Sequence, residues 1–254
     1  MYNECIMSQQ IVILAAGKGT RMGVDIPKVL LPLGDKPVIS RLLEGIKNVP
    51  QDTVPIIVVG FMKELVEKTL GPDYIYIQQF DQKGTAHAVL SAKPAVTAKN
   101  IIVLNGDMPF SSKESLVKVI ELHNQTQAKL TMLPCKLPNF ENEFRPFLSY
   151  GRILRDENGD IKKIQEYKDC TEEQKQIAEV NSGSYMFNSE WLWGKLEQIG
   201  SSNSQAEFYL TDIVEIAIND GQRIQSLPIT PQEIYGINTP DDLAYAKTLI
   251  AKEQ

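Results

Sequence analysis

Histidine and cysteine are scarce: two and three in 254 residues. Cys5, Cys135 and Cys170 form no CxxC pair and no zinc-ligand spacing, and His87 and His123 stand alone, which argues against a structural zinc site. No apolar run approaches the ~20 residues that a membrane-crossing helix needs. The opening MYNECIMSQQ lacks the basic and apolar regions of a secretory signal. Residues 1–10 are therefore expected as a frayed or disordered N-terminus, with Met7 as an alternative start and the cytoplasm as the location. Basic residues are outnumbered, 26 against 32 acidic ones, for a formal net charge of −6. That balance disfavours a nucleic-acid surface unless lysine and arginine gather locally. Linkers rich in Gly, Ser or Pro are missing, and so are internal repeats. A single domain over residues 11–254 is expected, large enough to bury a substantial core.

What the chain does contain is a series of short apolar runs. IVILAAG (11–17), VPIIVVG (54–60), YIYIQQ (74–79), NIIVLNGD (100–107) and AKLTMLPC (128–135) are mostly continuous rather than alternating. Such runs suit strands buried on both faces of a sheet. Helical patterns lie between them at 37–48, 61–70, 84–93 and 112–124, the last opening with SSKE, a serine and Glu114 at capping-box distance. Alternation of strand and helix predicts a doubly wound α/β sheet. After residue 135 the pattern loosens: a hairpin signal around DENGD in 151–167, a strand at 179–188, and helices at 190–199, 209–219 and 240–252.

The first strand ends in a glycine-rich, basic stretch, LAAGKGTRMGVDIPKVLLPLG. In open α/β sheets, ligands bind where strands end. The dinucleotide pattern GxGxxG fails because Met22 stands at the third glycine, and the P-loop pattern occurs nowhere in the chain. Gly17-x-Gly19-Thr20-Arg21 with Pro27-Lys28 remains. Small residues let backbone N–H groups approach a polyphosphate, and Arg21 and Lys28 add charge to balance it. A solvated basic loop is the plainer alternative.

This stretch resembles the signature of the sugar-1-phosphate nucleotidyltransferases, and most of all the uridyltransferase half of the bacterial N-acetylglucosamine-1-phosphate uridyltransferases (GlmU type). The family's other markers recur in order: QQFDQKGTAHAV (78–89), LNGDMPF (104–110), YGRI (150–153), IQEYKD (164–169), VNSGSYMF (180–187), QAEFYLTDIV (205–214) and YGIN (235–238). The resemblance implies a Rossmann-like, doubly wound mixed sheet of the GT-A-like nucleotidyltransferase type. A smaller β-rich part would bind the sugar, with a nucleotide half at 11–135 and a sugar-phosphate half at 136–254. It also implies UTP and N-acetylglucosamine-1-phosphate as substrates and Mg²⁺ as cofactor.

Residue by residue, it assigns the nucleotide to Ala15, Ala16, Gly17, Gly19, Gln79, Gly84 and Thr85. The Gln79 amide offers a donor and an acceptor to the uracil edge, and Gly84 allows a close N–H. The plain readings are a strand-end glutamine and, for Thr85, a helix N-cap. His87 reads as a packed helix residue. Gly151, Glu166, Asn181, Tyr209 and Thr211 fall to the sugar phosphate; Tyr209 and Thr211, two apart, suit the start of a helix rather than one helical face. Arg21, Lys28 and Asp107 are the implied catalytic residues. Lys28 would lie near the α-phosphate and Arg21 near the departing pyrophosphate. Asp107 and Asn238 are the implied Mg²⁺ ligands, set against a turn role for Asp107 and an N-cap role for Asn238, for which Thr239 competes. Trp191 and Trp193 read as packing residues and CTEEQKQ (170–176) as a solvated helix face.

CTP-dependent relatives share the opening loop but not YGRI and VNSG in this arrangement. A non-catalytic sugar-nucleotide sensor would be expected to lose Arg21, Lys28 or Asp107. The bifunctional family also carries a hexapeptide-repeat β-helix that acetylates the sugar and builds a trimer. No such repeat is visible up to Gln254. The expectation is a monomer or weak dimer without acetyltransferase activity.

Overall fold

The computed structural model describes residues 8–51, 53–200 and 207–251; Cys5 and Met7 lie outside them. Four parallel strands form one side of the central sheet: β1 (Gln9–Ala15), β4 (Ile56–Val59), β5 (Ile75–Gln78) and β6 (Asn100–Asn105). A short hairpin, β2 (Pro32–Leu33) and β3 (Lys36–Pro37), follows the basic loop. The sheet continues through β10 (Glu179–Asn188), β7 (Leu130–Lys136) and β11 (Gln225–Ser226), in the order β11-β7-β10-β6-β1-β4-β5. β10 runs antiparallel to both neighbours, so the sheet is mixed.

The continuous apolar runs have a simple cause. In β1, Val12 enters one core while Ile11 and Ile13 enter another; Ile56 and Val58 oppose Ile57 and Val59 in the same way, as do Ile101 and Val103 against Ile102 and Leu104. Alternate side chains of a strand leave opposite faces, and here both faces are covered. One face is covered by α3 (Thr85–Ala92), α6 (Ser189–Leu196) and α7 (Asp212–Asn219). The other is covered by α1 (Val38–Gly45), α2 (Lys63–Leu70) and α4 (Lys113–Thr126). A third cluster joins Leu33, Phe147 and Tyr235 to the final helix α8 (Pro240–Ala251). Trp191 and Trp193 pack against the first core. No helix among the described residues is long and apolar enough to cross a membrane.

The hairpin expected around DENGD is β8 (Arg152–Arg155) with β9 (Ile161–Gln165). Asp156 Oδ1 accepts from the N–H groups of Asn158 and Asp160, at 2.9 and 3.0 Å, and Gly159 supplies a positive φ of 82°. The CTEEQKQ segment forms the short α5 (Glu172–Lys175), capped by Thr171 and Gln174.

Three details depart from the sequence reading. Residues 9 and 10 are not frayed: they open β1, with Gln9 and Gln10 buried. Gln9 Nε2 donates to Pro50 O at 2.8 Å, and Gln10 Oε1 accepts from Thr97 N at 3.3 Å; distant loops satisfy polar groups that the local pattern assigns to solvent. The α4 cap falls one residue later than SSKE implies. Ser112 Oγ accepts from Ser115 N at 3.2 Å and donates to Glu233 Oε1 at 2.7 Å, so the carboxylate at this helix start is Glu233 and not Glu114. Finally, residue 135 marks no packing boundary, because β10 inserts between β6 and β7 and α6 and α7 share a face with α3.

Candidate functional site

A cleft runs along the C-terminal ends of the parallel strands. It consists of two continuous chambers of about 470 and about 730 Å³ that share Leu14, Thr85, Asn105, Tyr150, Glu166 and Asn238.

The basic loop forms its floor. A Cβ on Gly17 would meet nothing within 4 Å, so this backbone stands open to the cleft. Gly19 adopts φ 66°, and a Cβ there would sit 2.8 Å from Lys28 Cβ. Only glycine combines that conformation with the close passage of the Lys28 stem. A short 3-10 turn, Thr20–Met22, anchors the loop through buried Met22.

Four side chains from distant positions meet above this loop. Lys28 Nζ contacts Asp107 Oδ2 and donates to Asn238 Oδ1 at 2.8 Å; Arg21 Nη2 donates to the same oxygen at 3.1 Å. Asp107 is held from behind, with Ile237 N donating to its carbonyl at 3.0 Å and Gly106 N donating to Leu14 O at 2.9 Å. The capping of α8 is left to Thr239 and Asp242. Asp242 Oδ2 accepts from Asn238 N and Thr239 N, at 3.0 and 2.8 Å, and Asp242 N donates to Thr239 Oγ1 at 3.2 Å. The Asn238 side chain is thereby free to face the cleft. Among the described residues no three His, Cys, Asp or Glu gather as a metal cluster. Two oxygens, from Asp107 and Asn238, converge instead on one cation. That small hard-oxygen set suits Mg²⁺ when phosphates and water complete it.

On the nucleotide side, Gln79 is 4% exposed. Its Nε2 donates to Gly84 O at 3.1 Å and pairs with His87 Nδ1 at 3.1 Å, which makes His87 a packing and orienting residue. A carbonyl only accepts, so this bond fixes the amide's orientation and leaves Gln79 Oε1 as the end not engaged by Gly84. Gly84 has φ 111°, and a Cβ there would lie 2.5 Å from Phe208 O. Gly84 holds the N-cap position of α3, and Thr85 follows as its first residue. Thr85 Oγ1 accepts from Leu210 N at 3.0 Å, Ala86 N donates to Phe208 O at 3.0 Å, and Phe208 N donates to Lys83 O at 2.8 Å. The nucleotide-side turn is thus stitched to the segment carrying Tyr209 and Thr211. Gly84→Ala is expected to cost about 1–3 kcal/mol through forced positive φ and the backbone collision. A lower Tm with raised KM for both substrates is the expected result, and an unchanged Tm would contradict it.

Ala16 and Gly17 line the cleft; Ala15 does not, its side chain lying in the core at 2% exposure. Gly19 acts behind Lys28 rather than at the surface.

On the opposite wall, Gly151 O accepts from Asn181 N at 2.9 Å. Glu166 Oε1 accepts from the Thr211 hydroxyl at 3.1 Å. Burial raises the Glu166 carboxyl above its ordinary range, and Asp212 and Asp169 add to the rise, against the lowering effect of the Thr211 bond. Burial pushes Tyr209 up to about 12. Tyr209 precedes Thr211, the N-cap residue of α7, in agreement with the expected helix start.

Tyr150, Asn105, Gly183, Gln82 and Glu207 also line the cleft and were not singled out by sequence. Tyr150 OH donates to Ile234 O at 2.9 Å and accepts from Gly236 N at 3.0 Å, tying the YGRI segment to the loop that bears Asn238. Gln82 Nε2 donates to Ala16 O at 2.7 Å. Each lies within a recognised motif or just beside one, but a polar residue at a strand end reads alike whether or not it faces a cleft.

The MobA-like NTP transferase domain family matches residues 11–172. The bifunctional protein GlmU of Clostridium novyi is 36% identical over 246 residues, covering 96% of this chain and 52% of that protein. GlmU of Carboxydothermus hydrogenoformans is 41% identical over 234 residues, covering 92% and 51%. GlmU of Desulfotalea psychrophila is 37% identical over 240 residues, covering 93% and 68%. The chain spans about half the length of the first two relatives. Among solved structures, UDP-glucose pyrophosphorylase complexed with UDP-glucose superposes with a TM-score of 0.77 at 18% identity, covering 98% of this chain and 100% of that one. A putative glucose-1-phosphate thymidylyltransferase from Bacillus anthracis gives 0.73 at 21% identity, covering 95% of each chain. At these identities the likeness is one of fold.

Proposed function

The chain belongs to the MobA-like NTP transferase family, and from that premise we propose that it transfers UMP from UTP to N-acetylglucosamine-1-phosphate, forming UDP-N-acetylglucosamine and pyrophosphate. The observation that carries this reading is the meeting of Arg21, Lys28, Asp107 and Asn238 over an open glycine backbone. Two fixed cations beside a carboxylate and an amide oxygen are the apparatus for a triphosphate and its metal.

In the reaction, an oxygen of the sugar phosphate bonds to the α-phosphorus of UTP. The bond from that phosphorus to the bridging oxygen breaks, and pyrophosphate leaves with the electron pair. The nucleophile is already ionised at neutral pH, so no general base is required. Alignment and charge neutralisation then account for catalysis. Lys28 neutralises charge growing on the α-phosphoryl group, and Arg21 balances the leaving pyrophosphate. Bound Mg²⁺, held by Asp107 and Asn238, supplies Lewis-acid charge and a template for the phosphates. Glu166, Asn181 and the Gly151 backbone bind the sugar, with Tyr209 and Thr211 closing that wall.

The fixed Gln79 amide supports uracil over cytosine. Its oxygen accepts the N3–H of uracil, whereas N3 of cytosine offers a lone pair and no proton. UTP is therefore expected to exceed CTP in kcat/KM by about a hundredfold or more, because a site built around one hydrogen bond rejects the analogue lacking it. Pyrophosphate release measured across a panel of nucleoside triphosphates and sugar-1-phosphates tests both this preference and the assignment. Comparable kcat/KM for UTP and CTP would overturn the base assignment, and release without a sugar phosphate would overturn the transfer.

A further inference from the structure

Asn181 stands at a bulge in β10, where pairing with β7 slips between Asn181 and Tyr185. Its Oδ1 accepts two hydrogen bonds, from Gly183 N at 3.2 Å and from the Tyr185 hydroxyl at 2.9 Å. A backbone N–H can only donate, so Gly183 fixes which end of the amide turns toward the bulge. The Tyr185 hydroxyl faces that same oxygen and donates as well. Both bonds turn Nδ2 away from the bulge. Asn181 lines the cleft, and among the described residues its Nδ2 donates to no protein group. The bulge is held from its other side too: Asn105 Nδ2 donates to Gly183 O at 3.4 Å, and Gly183 takes a φ of 77°. Tyr185 is 1% exposed and its ring rests on Phe187, 5.5 Å between centroids.

We infer that Tyr185 is a positioning residue that makes Asn181 a hydrogen-bond donor, and not an acceptor, toward the sugar's 2-substituent. The inference rests on the reading of this site as one for an acetamido sugar phosphate. A 2-acetamido carbonyl accepts a bond from Nδ2. The ammonium of the unacetylated amino sugar carries donors only and meets a donor. Discrimination between the two therefore depends on a hydroxyl whose own bond goes to Asn181.

Tyr185→Phe keeps the ring and its packing and removes one of the two donors. The readout is the ratio of kcat/KM for N-acetylglucosamine-1-phosphate to that for glucosamine-1-phosphate. It is expected to fall about tenfold in Tyr185→Phe, the scale of one hydrogen bond. The loss should lie in KM for the acetylated sugar phosphate, with KM for UTP unchanged. Asn181→Asp, which presents an acceptor to the cleft, is expected to lower the ratio further. A Tyr185→Phe enzyme that loses rate on both sugars equally, or keeps the wild-type ratio, overturns the positioning role and leaves the transfer reaction standing. A wild-type enzyme that turns over neither amino-sugar phosphate overturns the transfer reading and this inference together.

Discussion

Asp107→Ala is expected to lower turnover by about a thousandfold, since losing one anionic metal ligand removes several kcal/mol of transition-state stabilisation. The fold is expected to survive. The bonds that anchor this strand end, Ile237 N to Asp107 O and Gly106 N to Leu14 O, belong to the backbone and remain in the variant. The side chain is removed from the mouth of a cleft, and no core contact goes with it. Tm near the wild-type value, together with collapsed activity, is the expected pair of results. A variant with near wild-type rate at limiting Mg²⁺ would remove Asp107 from the metal site.

Lys28→Ala is expected to lower kcat on the order of 10²–10³, as deletion of a preorganised charge at a transition state does, while KM for UTP changes much less. Charge on the α-phosphoryl group grows toward the transition state, so a cation there binds that state in preference. The same variant has a second readout without turnover. In the unliganded protein the Lys28 ammonium lies against both Asp107 and Asn238. Removing it leaves those oxygens to a metal alone, and Mn²⁺ titrated into nucleotide-free Lys28→Ala should bind more tightly than to wild type. A rise in KM with kcat unchanged would make Lys28 a ground-state anchor. Unchanged Mn²⁺ affinity would show that the ammonium does not compete for that place.

Much of this architecture is legible in the chain because its signals are local. Val12, Ile56 and Ile101 each sit inside a continuous apolar run, and a run buried on both faces of a sheet can hardly read otherwise. The hairpin at Asp156–Asp160 announces itself through Asn158-Gly159. Where partners come from far away, the reading slips. Gln9 and Gln10 look like the outside of the molecule until Pro50 and Thr97 are seen to satisfy them. Ser111 and Glu114 look like a capping pair, and Glu233, more than a hundred positions on, changes which serine caps. In the cleft, Lys28 and Asp107 are recognisable from their motifs, yet their contact with each other and with Asn238 is not. Tyr150 and Tyr185 are harder still. Their rings suit a core, and only the placement of their hydroxyls gives them work in a site.

The insertion of β10 between β6 and β7 bears on how the molecule comes into being. Strands that touch in the sheet are not successive in the chain, so closing it requires encounters across long loops, which slows folding relative to locally connected topologies. During synthesis, β6 and β7 emerge before the strand that joins them. Until residue 188 has left the ribosome, each lacks its β10 partner and presents an unpaired edge, the feature that invites mispairing with another chain. Asn181 and its bulge ride on that same late strand. A nascent chain therefore acquires its sugar-side wall in the step that seals the sheet, and ligands that bridge both walls would favour the closed form over its half-built precursors.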